Sequence, residues 1–193
     1  MTAEDRAVVL VVDDEENVAE VFALWLEEDY EVRVALSGEE AMATLDDGVD
    51  AVLLDRRMPG LSGDDVLEKM RGQGLRIPVA MVTAVDPDFD ILEMAFDDYL
   101  TKPVSKEELK TTIERLLTLS DYDVRAQQHF ALAQKLATVE SEKSEAELDD
   151  SEEYQTMREQ MRDLQDEMDA LVAGMDERAS TLLFKGLDRN PGE

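Results

Sequence analysis

Five short strand-like runs, three of them apolar almost throughout and each followed by a stretch of helical periodicity, constrain this chain more than any other feature. Residues 8 to 12 (VVLVV), 50 to 54 (DAVLL) and 78 to 82 (PVAMV) are apolar almost throughout, as strands buried on both faces of a parallel sheet must be. Residues 31 to 35 (EVRVA) and 98 to 101 (DYLT) complete the set. Between them, residues 15 to 28 place Val18, Val21, Phe22, Trp25 and Leu26 at helical spacing. The box "SGEE" at Ser37 to Glu40 opens a second helix that stops near Gly48, and residues 62 to 71 form a third. Asp86-Pro87 begins a short fourth helix and the box "SKEE" at Ser105 opens a fifth. Five strands alternating with five helices in fewer than 120 residues imply an α/β fold, a doubly wound parallel sheet.

Such a sheet gathers the carboxyl ends of its strands around one crevice. Here those ends carry chemistry: Asp13 and Asp14 after the first strand, Asp55 after the third, Thr83 after the fourth and Lys102 after the fifth. Each has a structural reading when taken alone, as a cap, a turn residue or a helix-dipole partner. Together they form a site. Three converging carboxylates repel one another, and a hard divalent cation with oxygen ligands, Mg²⁺, is the simplest remedy. A lysine and a hydroxyl beside it suit an oxyanion, so the inferred chemistry is phosphoryl transfer to Asp55 as nucleophile.

The motifs carrying this pattern, "VVDDEEN", "LLDRRMPG", "VTA" and "DYLTKP", resemble the receiver domain of two-component response regulators over residues 7 to 118. The resemblance implies a flavodoxin-like five-stranded sheet and assigns roles. Asp55 becomes the phosphoacceptor. Asp13, Asp14, Asp55 and the backbone carbonyl of Arg57 become metal ligands for Mg²⁺. Thr83 and Lys102 attend the phosphoryl group, and Thr83 with Tyr99 forms the switch pair. It also implies a sensor histidine kinase as partner, and no enzymatic activity beyond self-catalysed phosphoryl acceptance and release. An aspartate-nucleophile phosphatase would want a second carboxylate two residues after Asp55, and position 57 is Arg.

One departure from the family pattern stands out. The stretch "TAVDPDFDILEMAFDDYLTK" is about one helical turn short, with Ala95 and Phe96 before the aromatic, so a stunted fourth helix is expected. This segment, with "ELDDSEEYQTMREQM" near the C-terminus, resembles the haloarchaeal HalX module.

Composition agrees. Against 19 basic residues stand 48 acidic ones, a net charge of −29, which low ionic strength would make repulsive and concentrated salt would screen. The surface reads as salt-adapted, from a halophilic archaeon. So much acid disfavours direct nucleic-acid binding, which rests on Lys and Arg. The chain has no cysteine, which excludes disulfides and thiolate chemistry. No apolar run approaches membrane-spanning length and no leader is evident, so a cytoplasmic location without membrane contact is expected.

Near Ser120 the strand-helix alternation ends. Two helical stretches, about 121 to 145 and 151 to 175, flank the acidic break "AELDDSEE", and the second carries Tyr154, Met157, Met161, Leu164, Met168, Leu171 and Met175 as a coiled-coil seam. The expected organisation is therefore a receiver (1–119), an all-α helical hairpin or coiled coil of HalX type (120–185) and a disordered tail (186–193). The hairpin packs on the receiver or pairs with a second copy, and homodimerisation through this module is the favoured reading. Its output could instead be transcriptional, or the chain could act as a phosphate sink or scaffold. Leu182, Leu183 and Phe184 need a covering surface. Trp25 and the lone histidine, His129, read as ordinary helical residues.

Overall fold

A computed structural model describes residues 6 to 87 and 94 to 175. The chain divides into two compact units, Met1–Leu117 and Thr118–Glu193.

The first unit contains strands β1 (Val8–Val12), β2 (Glu31–Ala35), β3 (Ala51–Leu54), β4 (Val79–Thr83) and β5 (Asp98–Thr101), all parallel, in the order β2-β1-β3-β4-β5. Helices α1 (Glu16–Leu26), α2 (Gly38–Thr44), α3 (Gly63–Gly72) and the start of α4 (Lys106–Glu142) flank it. This is the five-stranded doubly wound parallel sheet the strand-helix alternation predicts.

Alternation along the strands sorts the core into two layers, because successive side chains leave opposite faces of a sheet. Leu10, Val12, Val52, Leu54, Val79 and Met81 face Ala41 of α2 and Val66, Leu67 and Met70 of α3. Val9, Val11, Leu53, Ala80 and Val82 face Ala19, Phe22 and Leu26 of α1 and Leu109, Ile113 and Leu116 of α4. The central strands β1, β3 and β4 are apolar at every position except Thr83 at the end of β4, because both faces are covered.

The expected helix starts are visible as caps. Ser105 Oγ accepts from the Glu108 amide at 3.2 Å while the Glu108 carboxylate accepts from the Ser105 amide at 2.8 Å, a reciprocal box. At α2 the box is not reciprocal. Ser37 Oγ accepts from Glu40 N at 3.1 Å, but the Glu40 carboxylate reaches one residue further back, to the Leu36 amide at 2.9 Å.

Two expectations are corrected. The helix opened at Ser105 does not end near Ser120: α4 runs unbroken from Lys106 to Glu142. The stretch "TLSDYDVRAQQ" changes composition but contains neither glycine nor proline, and nothing in it stops a helix. The acidic "AELDD" is not a plain break either. It forms a short helix, α5 (Glu145–Asp149), capped reciprocally by Ser144 and Glu147. The expected short helix after Asp86-Pro87 lies mostly outside the described residues, as does the proposed tail.

In the second unit, α4 and α6 (Glu152–Gly174) run antiparallel, as two cross-links show: Arg125 donates to Glu167 at 2.7 Å, and Tyr154 donates to Glu140 at 2.6 Å. Leu136, Leu148 and Tyr154 form a small buried cluster flanked by Met157 and Met161. Leu148, the buried residue of α5, completes this cluster. Among the described residues no helix is long and apolar enough to cross a membrane.

Candidate functional site

The strand order places β1 and β3 side by side, with the chain leaving β1 toward β2 on one side and reaching β3 on the other. That reversal opens the crevice in which ligands of doubly wound sheets bind. Asp13 and Asp55, each the first residue beyond its strand, enter it from neighbouring strands and are only 2% and 7% exposed. Backbone bonds continue the ladder to both: Asp13 N donates to Ala35 O at 3.1 Å and Asp55 N to Val12 O at 2.8 Å.

Lys102, just past β5, reaches across to both carboxylates. Its Nζ lies 2.6 Å from Asp13 Oδ2 and 2.8 Å from Asp55 Oδ2. Asp14 is exposed at the rim, and oxygens of Asp13, Asp14 and Asp55 all lie within 4.8 Å of one another. The remaining oxygens of the buried pair are held by backbone: Glu15 N donates to Asp13 Oδ1 at 3.0 Å, and Arg57 N to Asp55 Oδ1 at 3.2 Å.

Burial pushes the Asp13 carboxyl above the ordinary aspartate range, although the Lys102 ammonium and the Glu15 amide pull it down. Burial works against the Lys102 charge as well. There the hydrogen bonds and attraction from Asp13 and Asp55 win, and the ammonium is held above the usual lysine range.

Thr83 ends β4, 1% exposed, with its Oγ1 accepting weakly from Val85 N at 3.4 Å. Tyr99 donates its hydroxyl to Val85 O at 2.6 Å and packs its ring 5.6 Å from that of Phe96. Val85 thus links Thr83 and Tyr99, the two residues expected to act as a pair. The Lys102–Pro103 peptide is cis.

Three features of the site escape a reading of motifs. A Cβ on Gly63 would fall 2.1 Å from Asp55 O and 2.9 Å from Arg56 Cα, so only glycine lets α3 start against the strand end that bears Asp55. Arg56 is buried and forks onto Asp64, with Nε 3.0 Å from Oδ1 and Nη2 3.1 Å from Oδ2, which pins the backbone beside Asp55 to α3. Glu15 lies 3.9 Å from Lys102, an outer acid at the rim. The glycine in "LSG" and the second acid pair in "DDEE" are the signals available in sequence.

The family model for the response regulator receiver domain matches residues 9–114, and that for the HalX domain matches 118–183. The chain belongs to the response-regulator receiver family and continues into a HalX domain. A provisionally named transcriptional regulator of Haloferax volcanii is 44% identical over 188 residues, covering 94% of this chain and 32% of that protein. The sensory transduction protein RegX3 of Mycobacterium tuberculosis is 44% identical over 114 residues, covering 56% of this chain and 50% of its own. The chain therefore spans from about a third to a half of the length of the curated relatives it matches. Among solved structures, the response regulator TrrA of Thermotoga maritima, determined with Mg²⁺-BeF, is 36% identical over 57% of this chain and 99% of its own, with a TM-score of 0.52. A haloarchaeal relative spanning both domains agrees with the salt-adapted surface expected from composition.

Proposed function

We propose that this receiver accepts a phosphoryl group on Asp55 from the phosphohistidine of a sensor histidine kinase, and that the HalX hairpin carries the response as a homodimerisation module. The observation that carries the first half is the pairing of Asp55 with Lys102 at 2.8 Å in a pocket with two further carboxylates. The donor set fits a hard cation: Asp13, Asp14, Asp55 and the backbone carbonyl of Arg57 would hold Mg²⁺. That ion would offset the repulsion between these carboxylates and the oxygens of an incoming phosphoryl group.

The chain's own residues supply the rest. The Arg57 amide on Oδ1 and the Lys102 ammonium on Oδ2 orient the Asp55 carboxylate before any donor arrives. As the phosphorus–nitrogen bond to the kinase imidazole breaks, a bond forms from an Asp55 oxygen to phosphorus, and the imidazole takes up a proton. Lys102 then turns from the carboxylate to the phosphoryl oxygens, where its raised pKa keeps it charged. Thr83, at the end of β4, then donates its hydroxyl to the same group, and the shared contact at Val85 passes its movement to Tyr99.

Acetyl phosphate with Mg²⁺ in molar KCl should add one phosphoryl mass to the wild type and none to Asp55→Asn. An unmodified wild type, or an asparagine variant that gains the same mass, ends this reading.

A second reading concerns output. The Haloferax volcanii relative that covers 94% of this chain carries a provisional name as a transcriptional regulator, which favours a role of the HalX domain in transcription. The net charge of −29 opposes direct contact with DNA, so contact with transcription machinery is the form this reading takes. Retarded migration of a promoter fragment in molar salt would establish direct binding instead.

A further inference from the structure

In a chain with 48 acidic residues, the stretch Val124 to Val139 on α4 contains none, while it carries Arg125 and Lys135. Ten of its sixteen residues are exposed, so the acid is missing from a surface, where the rest of the chain concentrates it. Val124, Ala131, Lys135 and Val139 fall within an arc of about 80° on the helix, at 100° per residue. Val124 and Val139 are exposed despite their size. Charge depletion with exposed aliphatic side chains is the composition of an interface centre.

This face does not stop at α4. Ala131, Leu132 and Lys135 form one wall of an open groove of ≈ 470 Å³ whose other wall is Asp163, Leu164 and Glu167 of α6. The two walls differ in sign. α4 brings the ammonium of Lys135, and α6 carries seven acids against two arginines over its 23 residues.

We propose that this groove docks the same groove of a second copy, with α4 of each copy lying across α6 of the other to close a four-helix bundle. The inference rests on the homodimer reading above and assigns its surface. A two-fold axis along the groove preserves position along the helices and exchanges the walls. Lys135 therefore comes within side-chain reach of Asp163 of the second copy, Ala131 and Leu164 meet at the centre, and each contact occurs twice. A two-fold across the groove would instead oppose α6 to α6 and bring its acids together, so charge selects the first arrangement. The acid-free stretch is what lets two such acidic chains approach.

Sedimentation of the full chain in molar KCl tests the assignment. Ala131→Asp places a charge at the centre of the groove, and Phe130→Asp is its control. Phe130 is 63% exposed but lies about 150° around the helix from the groove-lining residues. The wild type should sediment as a dimer, Ala131→Asp as a monomer and Phe130→Asp as a dimer, with helical circular dichroism unchanged in all three. Lys135→Asp should weaken the dimer about tenfold, and adding Asp163→Lys should restore it. A wild-type dimer that survives Ala131→Asp, or that Phe130→Asp breaks equally, overturns the assigned face while leaving dimerisation standing. A wild type that is monomeric with and without acetyl phosphate overturns both. A monomer in which Ala131→Asp lowers thermal stability would give the groove to the chain's own residues 176 to 193.

Discussion

Replacing Lys102 with Met removes the cation shared by two buried carboxylates and keeps the aliphatic stem. Contacts of 2.6 and 2.8 Å are each worth about 6 kcal/mol at an effective dielectric of 20, before the cost of drying the charges and the repulsion between Asp13 and Asp55 are set against them. Breaking a buried pair by deleting one partner costs about 3–5 kcal/mol net, because the remaining charge is stranded. Asp13 is 2% exposed and strands most fully. Its carboxyl is already pushed up by burial and rises further when Lys102 is lost. A carboxyl with a raised folded-state pKa contributes stability that is full below the ordinary aspartate value of 3.8 and lost as pH rises through the folded value. The penalty of the substitution is therefore greatest at neutral pH and shrinks toward pH ~4 as Asp13 takes a proton. The assay is urea unfolding in molar KCl without divalent ions, followed by Trp25. This is the only tryptophan, its ring centroid lies 5.8 Å from that of Phe22, and it packs on the core of the receiver, so its fluorescence reports that unit alone. For an m-value of about 1.5 kcal/mol/M, the midpoint at pH 7.5 should fall by roughly 2–3 M. At lower pH, as Asp13 takes a proton, the gap should be smaller. Equal midpoints at pH 7.5, or a gap that widens with acid, would refute the reasoning.

Three further outcomes are expected. Asp55→Asn removes one of the two carboxylates that share Lys102, and it should leave the receiver as stable as wild type or about 1 kcal/mol more so by Trp25-monitored unfolding, while abolishing phosphoryl uptake. Gly63→Ala drives a Cβ into Asp55 O at 2.1 Å, so the start of α3 must shift; a loss of about 2–4 kcal/mol and slower uptake of acetyl phosphate should follow, measured by unfolding and by intact mass. In the hairpin, the Ser144 hydroxyl and amide and the Lys143 ammonium hold Glu147 down to about 2, from 4.5. A depressed acid stabilises above its unfolded value and loses that contribution as pH falls, so circular dichroism at 222 nm in molar salt should lose helix between pH 4.5 and 2, and Glu147→Gln should flatten that loss.

Much of the receiver can be read directly from its residues because the relevant forces are local. An all-apolar run such as VVLVV can be satisfied only by a strand covered on both faces, and a box such as "SKEE" satisfies the first amides of a helix wherever it occurs. The boundaries were harder. The change at Ser120 is a change of solvent exposure, which composition reports, while α4 itself passes through because no residue there breaks its hydrogen-bond ladder. α5 was hidden in an acidic run because its reason for folding is Leu148, which gains only by meeting Leu136 and Tyr154 from two other helices.

The kinds of group at the site belong to the sequence: acids after β1 and β3, a hydroxyl ending β4, a lysine after β5. Which of them touch is a matter of packing. Lys102 meets Asp13 across 89 residues and Asp55 across 47, contacts that no local rule relates and that exist because strand order β2-β1-β3-β4-β5 points three strand ends into one crevice. Gly63 shows the same division. As a residue it is permission for a close approach, and only the docking of α3 on β3, with Asp55 O where its Cβ would stand, makes that permission necessary.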